Sequence, residues 1–353
     1  MKFLNSLKEW LRKAAKYLAG WPWARIGLIA LCSFLALVLL VLVVTTVYIE
    51  SLLSLIHRPN IEGSQPTTEY IEPTLPSDFT GVTISPTDVT EPPEPSIVIA
   101  HEDLVHIMLV GQDRRPGENY LTRSDAMILC TINKQTKTIT LTSFMRDLYV
   151  EIPGRNPNKM NAAYQWGGMS LLRETMMENF GIPVDAFVEV DFSGFTQVVD
   201  VLGGVDIRLT QAEADYLNNL HGWNLKAGTN HLNGDQALQY SRIRAIGNDF
   251  GRTERQRNVI NSIIASCKGM SPSQLDTLLR EILPLIATDL DNATIFNYAL
   301  ELFPLLSGSN IVQQRIPIEG SYDEEKVWVG ALDVLLPNME INRQFLVDTL
   351  LPK

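Results

Sequence analysis

Residues 26–44, IGLIALCSFLALVLLVLVV, contain no charged side chain. With the TTVYI that follows, the run reaches the roughly 20 residues that a bilayer-spanning helix needs. A cleaved leader has an apolar region of about 7–15 residues ending at a small-residue site. This run is longer and continues into YIESLLSLIH, so an uncleaved membrane span over residues 26–49 is predicted. The pattern then loses its large apolar residues. Residues 58–96, RPNIEGSQPTTEYIEPTLPSDFTGVTISPTDVTEPPEPS, are rich in Pro, Thr, Ser and Glu, and predict a semi-extended linker within residues 50–96.

Periodicity resumes at Ile97. VHIMLVGQD (105–113) reads as a buried strand ending in a polar loop. Residues 126–132 and 138–143 read as two strands around a polar turn, and AFVEV as another strand. LGGVDIRL is a glycine turn into a strand, and GDQALQYS a short helix. Helical patterns run over 169–180, 192–202, 253–268, 275–287 and 294–305. Strands interleaved with helices predict an α/β fold: a three-layer α-β-α sandwich with a central mixed β-sheet, spanning 97–353 with its core at 105–268. The last thirty or so residues are expected to form a peripheral appendage. No internal repeat is present.

Charge sets the topology. Residues 1–25 carry Lys2, Lys8, Arg12, Lys13, Lys16 and Arg25 against Glu9, a net +5 in a chain of net −11, which leaves −16 for the remainder. Arg58 is the only basic residue in the fifty after the span. The positive-inside rule therefore predicts a single-pass protein of the cell membrane, with residues 1–25 cytoplasmic and the folded domain extracellular. An acidic body is unlike a nucleic-acid binder, and none is expected as a partner. Cys32, Cys130 and Cys267 form neither a disulfide framework nor a CxxC metal site, and read as buried free thiols.

Against this acidic background, YSRIRAIGNDFGRTERQRNVI (240–260) gathers Arg242, Arg244, Arg252, Arg255 and Arg257 with only Asp249 and Glu254. Arg242 and Arg244 flank Ile243; an extended segment would project both to one side, and a continuing helix would separate them. In the helix that follows, Val259, Ile260, Ile263, Ile264 and Cys267 form an apolar stripe, and helical spacing puts Gln256 and Arg252 on the same stripe. A guanidinium there needs an anion or dense hydrogen bonding. Arg257 is expected on the solvated side, with Arg255 between. Two further polar clusters follow strand patterns: GQDRRPGENYLTRSD, with Asp113, Arg123 and Asp125, and SFMRD, with Arg146 and Asp147. Loops at strand ends are where α/β folds place ligands. Two carboxylates among arginines suit either a hard cation or local ion pairs. Convergent arginines suit a pyrophosphate or an internal salt-bridge network. No GxxxxGK[ST], HExxH or GxSxG occurs, and five scattered histidines make no triad.

The ordered segments GQDRR, TRSDAMIL, LTSFMRDLYVEIPG, KMNAAYQWGG, VDVLGGVDI, LNGDQALQYSRIR and NDFGRTERQ resemble the LytR-CpsA-Psr family of Gram-positive bacteria over about residues 105–268. The family's usual SIPRD stands here as SFMRD, without the proline. The resemblance implies a transferase moving a glycopolymer from an undecaprenyl-pyrophosphate carrier in the membrane lipid to peptidoglycan, forming a phosphodiester. It implies Asp113 and Asp125 as ligands of Mg²⁺, or of Mn²⁺ in its place, and Asp113, Asp125, Arg123 and Arg146 as the catalytic group. Arg146, Arg242 and Arg244 would clamp the pyrophosphate, with Arg123, Lys159, Arg252 and Gln256 completing the polar rim. An apolar tunnel for the polyprenyl tail is also implied. The alternatives are a polyprenyl-pyrophosphate hydrolase and a non-catalytic wall-polymer binder.

Overall fold

The computed structural model describes residues 83–89, 95–112, 124–247, 249–267, 270–295, 297–298, 310–323 and 327–352, with 45–56 and positions 9, 38, 41, 74, 75 and 79. The chain divides into two compact units, residues 1–54 and 55–353. In the first, residues 45–53 are helical. Among the described residues no helix is long and apolar enough to cross a membrane, and most of the predicted span lies outside them.

The second unit runs β1 (Thr83–Ile84), β2 (Leu104–Gln112), β3 (Ser124–Asn133), β4 (Thr138–Phe144), β5 (Tyr149–Val150), β6 (Asn158–Lys159), α1 (Met160–Phe180), β7 (Ala186–Asp191), α2 (Phe192–Val201), β8 (Val205–Leu209), α3 (Gln211–His221), β9 (Gly228–Leu232), α4 (Gly234–Arg242), α5 (Asp249–Cys267), α6 (Pro272–Ile282), β10 (Ala287–Thr288), β11 (Asn310–Ile316), β12 (Val327–Val329), β13 (Leu332–Val334) and α7 (Met339–Leu350). Six strands form the central sheet in the order β10-β7-β2-β3-β4-β11. The β2–β3 and β3–β4 pairs are antiparallel, and β2–β7 and β4–β11 are parallel, so the sheet is mixed.

Period-two alternation assigns the faces. Leu104, Met108 and Val110 of β2 pack with Met127, Leu129 and Phe144 under α1 and α7. Val105, Ile107 and Leu109 join Ile128, Ile132 and Leu141 on the opposite face, against Ile260 of α5. A separate core joins α2, α3, α4, β8 and β9 through Val199, Leu217, Leu232 and Tyr240, with Val259 of α5. Helix α5 therefore lies between the sheet and this second core.

Several expectations change. The helix predicted from 169 begins at Met160 and breaks at Gly167–Gly168, where Gly168 has φ 58°. The helix predicted over 275–287 ends at Ile282; a single turn with Pro284 follows, and Ala287–Thr288 then joins the sheet. That predicted over 294–305 falls largely outside the described residues. The C-terminus is not peripheral: Leu346 and Leu350 of α7 are buried in the main core, and β11 extends the central sheet. The linker also ends earlier than predicted. Thr83–Ile84 pairs in parallel with Trp328–Val329, the Gly330 amide donates to the Ile84 carbonyl at 2.8 Å, and Val89 packs on Tyr149 and Val334. Its Thr and Ile side chains suit a short strand that its proline-rich flanks disguise. Cys130 and Cys267 are free, and burial pushes the Cys130 thiol up to about 12.

Candidate active site

A cavity of about 660 Å³ opens between the sheet and the helices. Leu109, Ile128 and Val190 form its sheet wall, Phe195 its α2 wall, and Ile260 and Ile263 its α5 wall. The same cavity is lined by Asp125, Arg242, Arg244, Arg252 and Gln256, so one space carries an apolar body and a cationic end.

A bulge supplies Asp125. Gly111 pairs with Ala126, but Gln112 pairs with Ser124, leaving Asp125 as the extra residue of β3. Strict alternation would turn it away from the face of Ala126; the extra residue re-aims it to the cavity. Its Oδ1 accepts from Arg146 Nη1 at 3.2 Å and Arg244 Nη2 at 3.3 Å. Arg146 lies two residues past the end of β4, and its Nε also faces Asp147 at 3.3 Å and Asp249 at 3.5 Å. Burial works against the Arg146 charge, but Asp147, Asp249 and Asp125 together hold its guanidinium above the ordinary value. Lys159, at the start of α1, donates to Asp147 Oδ1 at 2.9 Å. Burial would raise the Asp147 carboxyl, but Lys159 and Arg146 overcome it and hold it low.

The helix ends between Arg242 and Arg244. Ile243, with ψ 122°, caps α4 and is itself buried, so Arg242 sits on the last turn and Arg244 beyond it. Arg242 lies 4.6 Å over the Phe192 ring, and both arginines reach the cavity. Arg252 is 2% exposed. Asp249 reaches it at 3.4 Å, one turn earlier on α5. Burial lowers the Arg252 guanidinium against the field of Asp249, and Arg146 and Arg244 lower it further. The Arg252 Nε and Gln256 Oε1 are buried without hydrogen-bond partners among the described residues. Thus Asp125, Arg146, Arg242, Arg244, Arg252 and Gln256 come together, with Lys159 on the far side of Asp147. Asp113 and Arg123 lie outside the described residues.

Two expectations on α5 are corrected. Arg257 is 6% exposed rather than solvated, and its Nη1 donates to Ser143 Oγ at 2.6 Å. Arg255 is buried on Glu213 Oε1 at 2.7 Å and on the carbonyls of Ile243 and Ile246. A single apolar stripe implies one buried face, whereas α5 is enclosed on two sides. Asp249 is more than a local counter-charge: it bridges Arg146 and Arg252. Its spacing three residues before Arg252 was the available signal. The structure thus shows the internal ion-pair network of the two open readings, and within it the buried Arg252 Nε makes no hydrogen bond among the described residues.

For a hard cation, the described residues hold no group of three acidic, His or Cys ligands. Mg²⁺ takes one or two carboxylates and completes its shell with water and phosphate oxygens. Asp125, a single carboxylate at the cationic end of the cavity, fits such a sparse donor set.

The sequence profile of the LytR_cpsA_psr family matches residues 77–342. The polyisoprenyl-teichoic acid–peptidoglycan teichoic acid transferase TagU of Bacillus licheniformis is 32% identical over 234 residues, 64% of this chain and 72% of that protein. The crystal structure of B. subtilis TagT superposes with a TM-score of 0.57 at 27% identity, over 70% of this chain and 91% of that one. A second structure, described as the LytR-CPS2A-psr family protein YwtF (TagT) with bound octaprenyl pyrophosphate lipid, gives 0.54 at 26%, over the same shares of the two chains. With most of its folded unit matched by the family profile, and with the mixed sheet shared with these structures, the chain belongs to the LytR_cpsA_psr family.

Proposed function

We propose that this chain is a membrane-anchored phosphotransferase that moves a glycopolymer from an undecaprenyl-pyrophosphate carrier onto peptidoglycan. The observation that carries the reading is the two-part cavity: an apolar body for a lipid tail and arginines for a diphosphate head. The names of TagU and of the octaprenyl-pyrophosphate complex support the same substrate class.

In this reading an acceptor hydroxyl attacks the phosphorus that bears the glycopolymer. The bond from that phosphorus to the bridging oxygen breaks, and polyprenyl phosphate leaves. Such transfer needs positioning and charge neutralisation more than a covalent nucleophile. Arg146, Arg242 and Arg244 hold the non-bridging oxygens, and Arg252 and Gln256 meet the head from the buried side. Arg123 and Lys159 complete the rim. A carboxylate, Asp125 or Asp113, takes the hydroxyl proton. Asp125 and Asp113 would hold Mg²⁺, which when bound supplies further charge neutralisation on the phosphates. Residues 26–49 cross the membrane, with 1–25 cytoplasmic and the folded unit outside, as the charge bias implies.

Thermal unfolding of the full chain in micelles tests the binding half. Polyprenyl pyrophosphate should raise Tm well beyond free pyrophosphate or polyprenol. An equal rise with polyprenol would remove the head group from the account.

A further inference from the structure

Arg257 lies about 140° around α5 from Arg252, five residues away. It is not part of the cavity lining. It is 6% exposed, its Nη1 is held by Ser143, and its Nε is buried with no acceptor among the described residues. Beside it, Arg315 of β11 is the register partner of Ser143, so both project on the sheet face that α5 covers. The Arg315 guanidinium lies 4.0 Å over the Phe250 ring, and Phe250 tilts against Tyr322 at 5.1 Å. Among the described residues no carboxylate lies within ion-pair distance of either arginine. Arg255 on the same helix is equally buried, yet it meets Glu213 and two carbonyls. The fold thus pairs one buried arginine directly, while its neighbour-but-one feels Glu254 only beyond ion-pair distance among the described residues. Burial pulls the Arg257 guanidinium down to about 10 against the field of Glu254, and Arg315 adds to the fall. Two adjacent guanidiniums with no carboxylate of the described residues in ion-pair contact are costly unless an anion joins them.

The pair adjoins the transfer centre. Ser143 is three residues before Arg146, and Phe250 follows Asp249, which contacts Arg146 and Arg252. It also lies across α5 from the lipid cavity. In-line transfer brings the nucleophile from the side opposite the leaving lipid phosphate. We propose that Arg257 and Arg315, with Ser143, Phe250 and Tyr322, form an acceptor subsite that binds a free carboxylate on the peptide-substituted sugar strand of the wall. Arg257 is the floor, half-buried Arg315 is the mouth, and the two rings offer an edge for a sugar face. The inference rests on the transferase reading above and assigns its acceptor side.

The test uses the full chain in detergent micelles. The probes are a fluorescent disaccharide-peptide with free carboxylates and its fully amidated twin. The wild type should bind the acidic probe about 10-fold more tightly than the amide. Arg315→Gln should erase that preference, and Arg315→Lys should retain part of it. The KM for the lipid-linked donor should not change in Arg315→Gln. Arg257→Gln should act alike, and if it fails to fold the half-buried Arg315 still carries the test. Equal wild-type binding of both probes, or a raised donor KM in Arg315→Gln, overturns the subsite. A wild type that prefers the acidic probe but transfers nothing keeps the subsite and removes the transferase reading. Transfer without that preference does the reverse.

Discussion

Arg252 is a cation that folding alone does not ask for. It is 2% exposed, and Asp249, its carboxylate partner, is shared with Arg146. Removing one partner of a buried ion pair is costly when the other charge is left alone, but Asp249 keeps Arg146 as its partner when Arg252 is replaced by an apolar side chain of similar volume. Arg252→Met should therefore hold or raise the Tm of the lipid-free protein. It should also weaken polyprenyl-pyrophosphate binding by about 10–100-fold, the worth of charge-assisted hydrogen bonds. A lowered Tm with intact lipid affinity would make Arg252 a structural residue. Its placement was legible in the sequence, because counting back along the apolar stripe of α5 reaches Gln256 and Arg252. That of Arg255 and Arg257 was not. Their burial depends on Glu213 and Ser143, 42 and 114 residues away in sequence.

His106 gives a residue-scale prediction about pH. It is 1% exposed; its Nε2 donates to the Ile99 carbonyl at 2.9 Å and its Nδ1 is 3.0 Å from Thr131 Oγ1. Burial lowers its pKa below the ordinary 6.5, outweighing the Ile99 carbonyl and Asp185. As pH falls, the unfolded chain takes the proton first. This contribution to stability is intact above pH 6.5 and declines as pH falls toward the folded value. Tm measured between pH 7.5 and about 5 should fall more steeply for the wild type than for His106→Asn. Parallel curves would assign the acid sensitivity elsewhere.

At the scale of elements, the site is made by three interruptions of regular structure. The bulge in β3 turns Asp125 to the cavity, α4 stops at Ile243 between two arginines, and β4 ends one residue before Met145 and Arg146. Alternation and helical period made the regular parts legible: β2, β3, β4 and α2 fall within two residues of expectation. The interruptions were not, since each depends on a pairing partner. The short β10 and the polar edge strand β11 were missed for the same reason. The close α2–α4 contact depends on Gly234, where an added Cβ would lie 2.1 Å from the Thr196 carbonyl oxygen. Gly234→Ala should destabilise by about 1–3 kcal/mol in urea melts and loosen the α2 wall of the cavity. An unchanged melt would show that the two helices can separate freely. Leu346→Ala in α7, at 0% exposure, should cost about 2–5 kcal/mol. A peripheral C-terminus would instead show almost no change.

Over the whole molecule, α5 is the divider. One side closes an apolar cavity with Arg252 and Gln256 at its polar end, and the other carries Arg257 beside Arg315. The arginines are local in a chain of net −11, an arrangement that suits single anionic groups rather than a polyanion surface. The cavity itself could not be read from the sequence. Ile128, Phe195 and Ile263 look there like ordinary core, and only packing shows that a space is left between them.

The central claim is transfer of a lipid-linked polymer to the wall, and the most direct measurement follows the label. The full chain in micelles receives polyprenyl-pyrophosphate-linked polymer, radiolabelled in the phosphate next to its first sugar, with and without peptidoglycan. Label should enter peptidoglycan through an acid-labile phosphodiester, depend on acceptor, and fall at least about 100-fold in Arg244→Ala. Release of labelled polymer phosphate at the same rate with or without acceptor, and none in the wall, would contradict the account and make the protein a hydrolase.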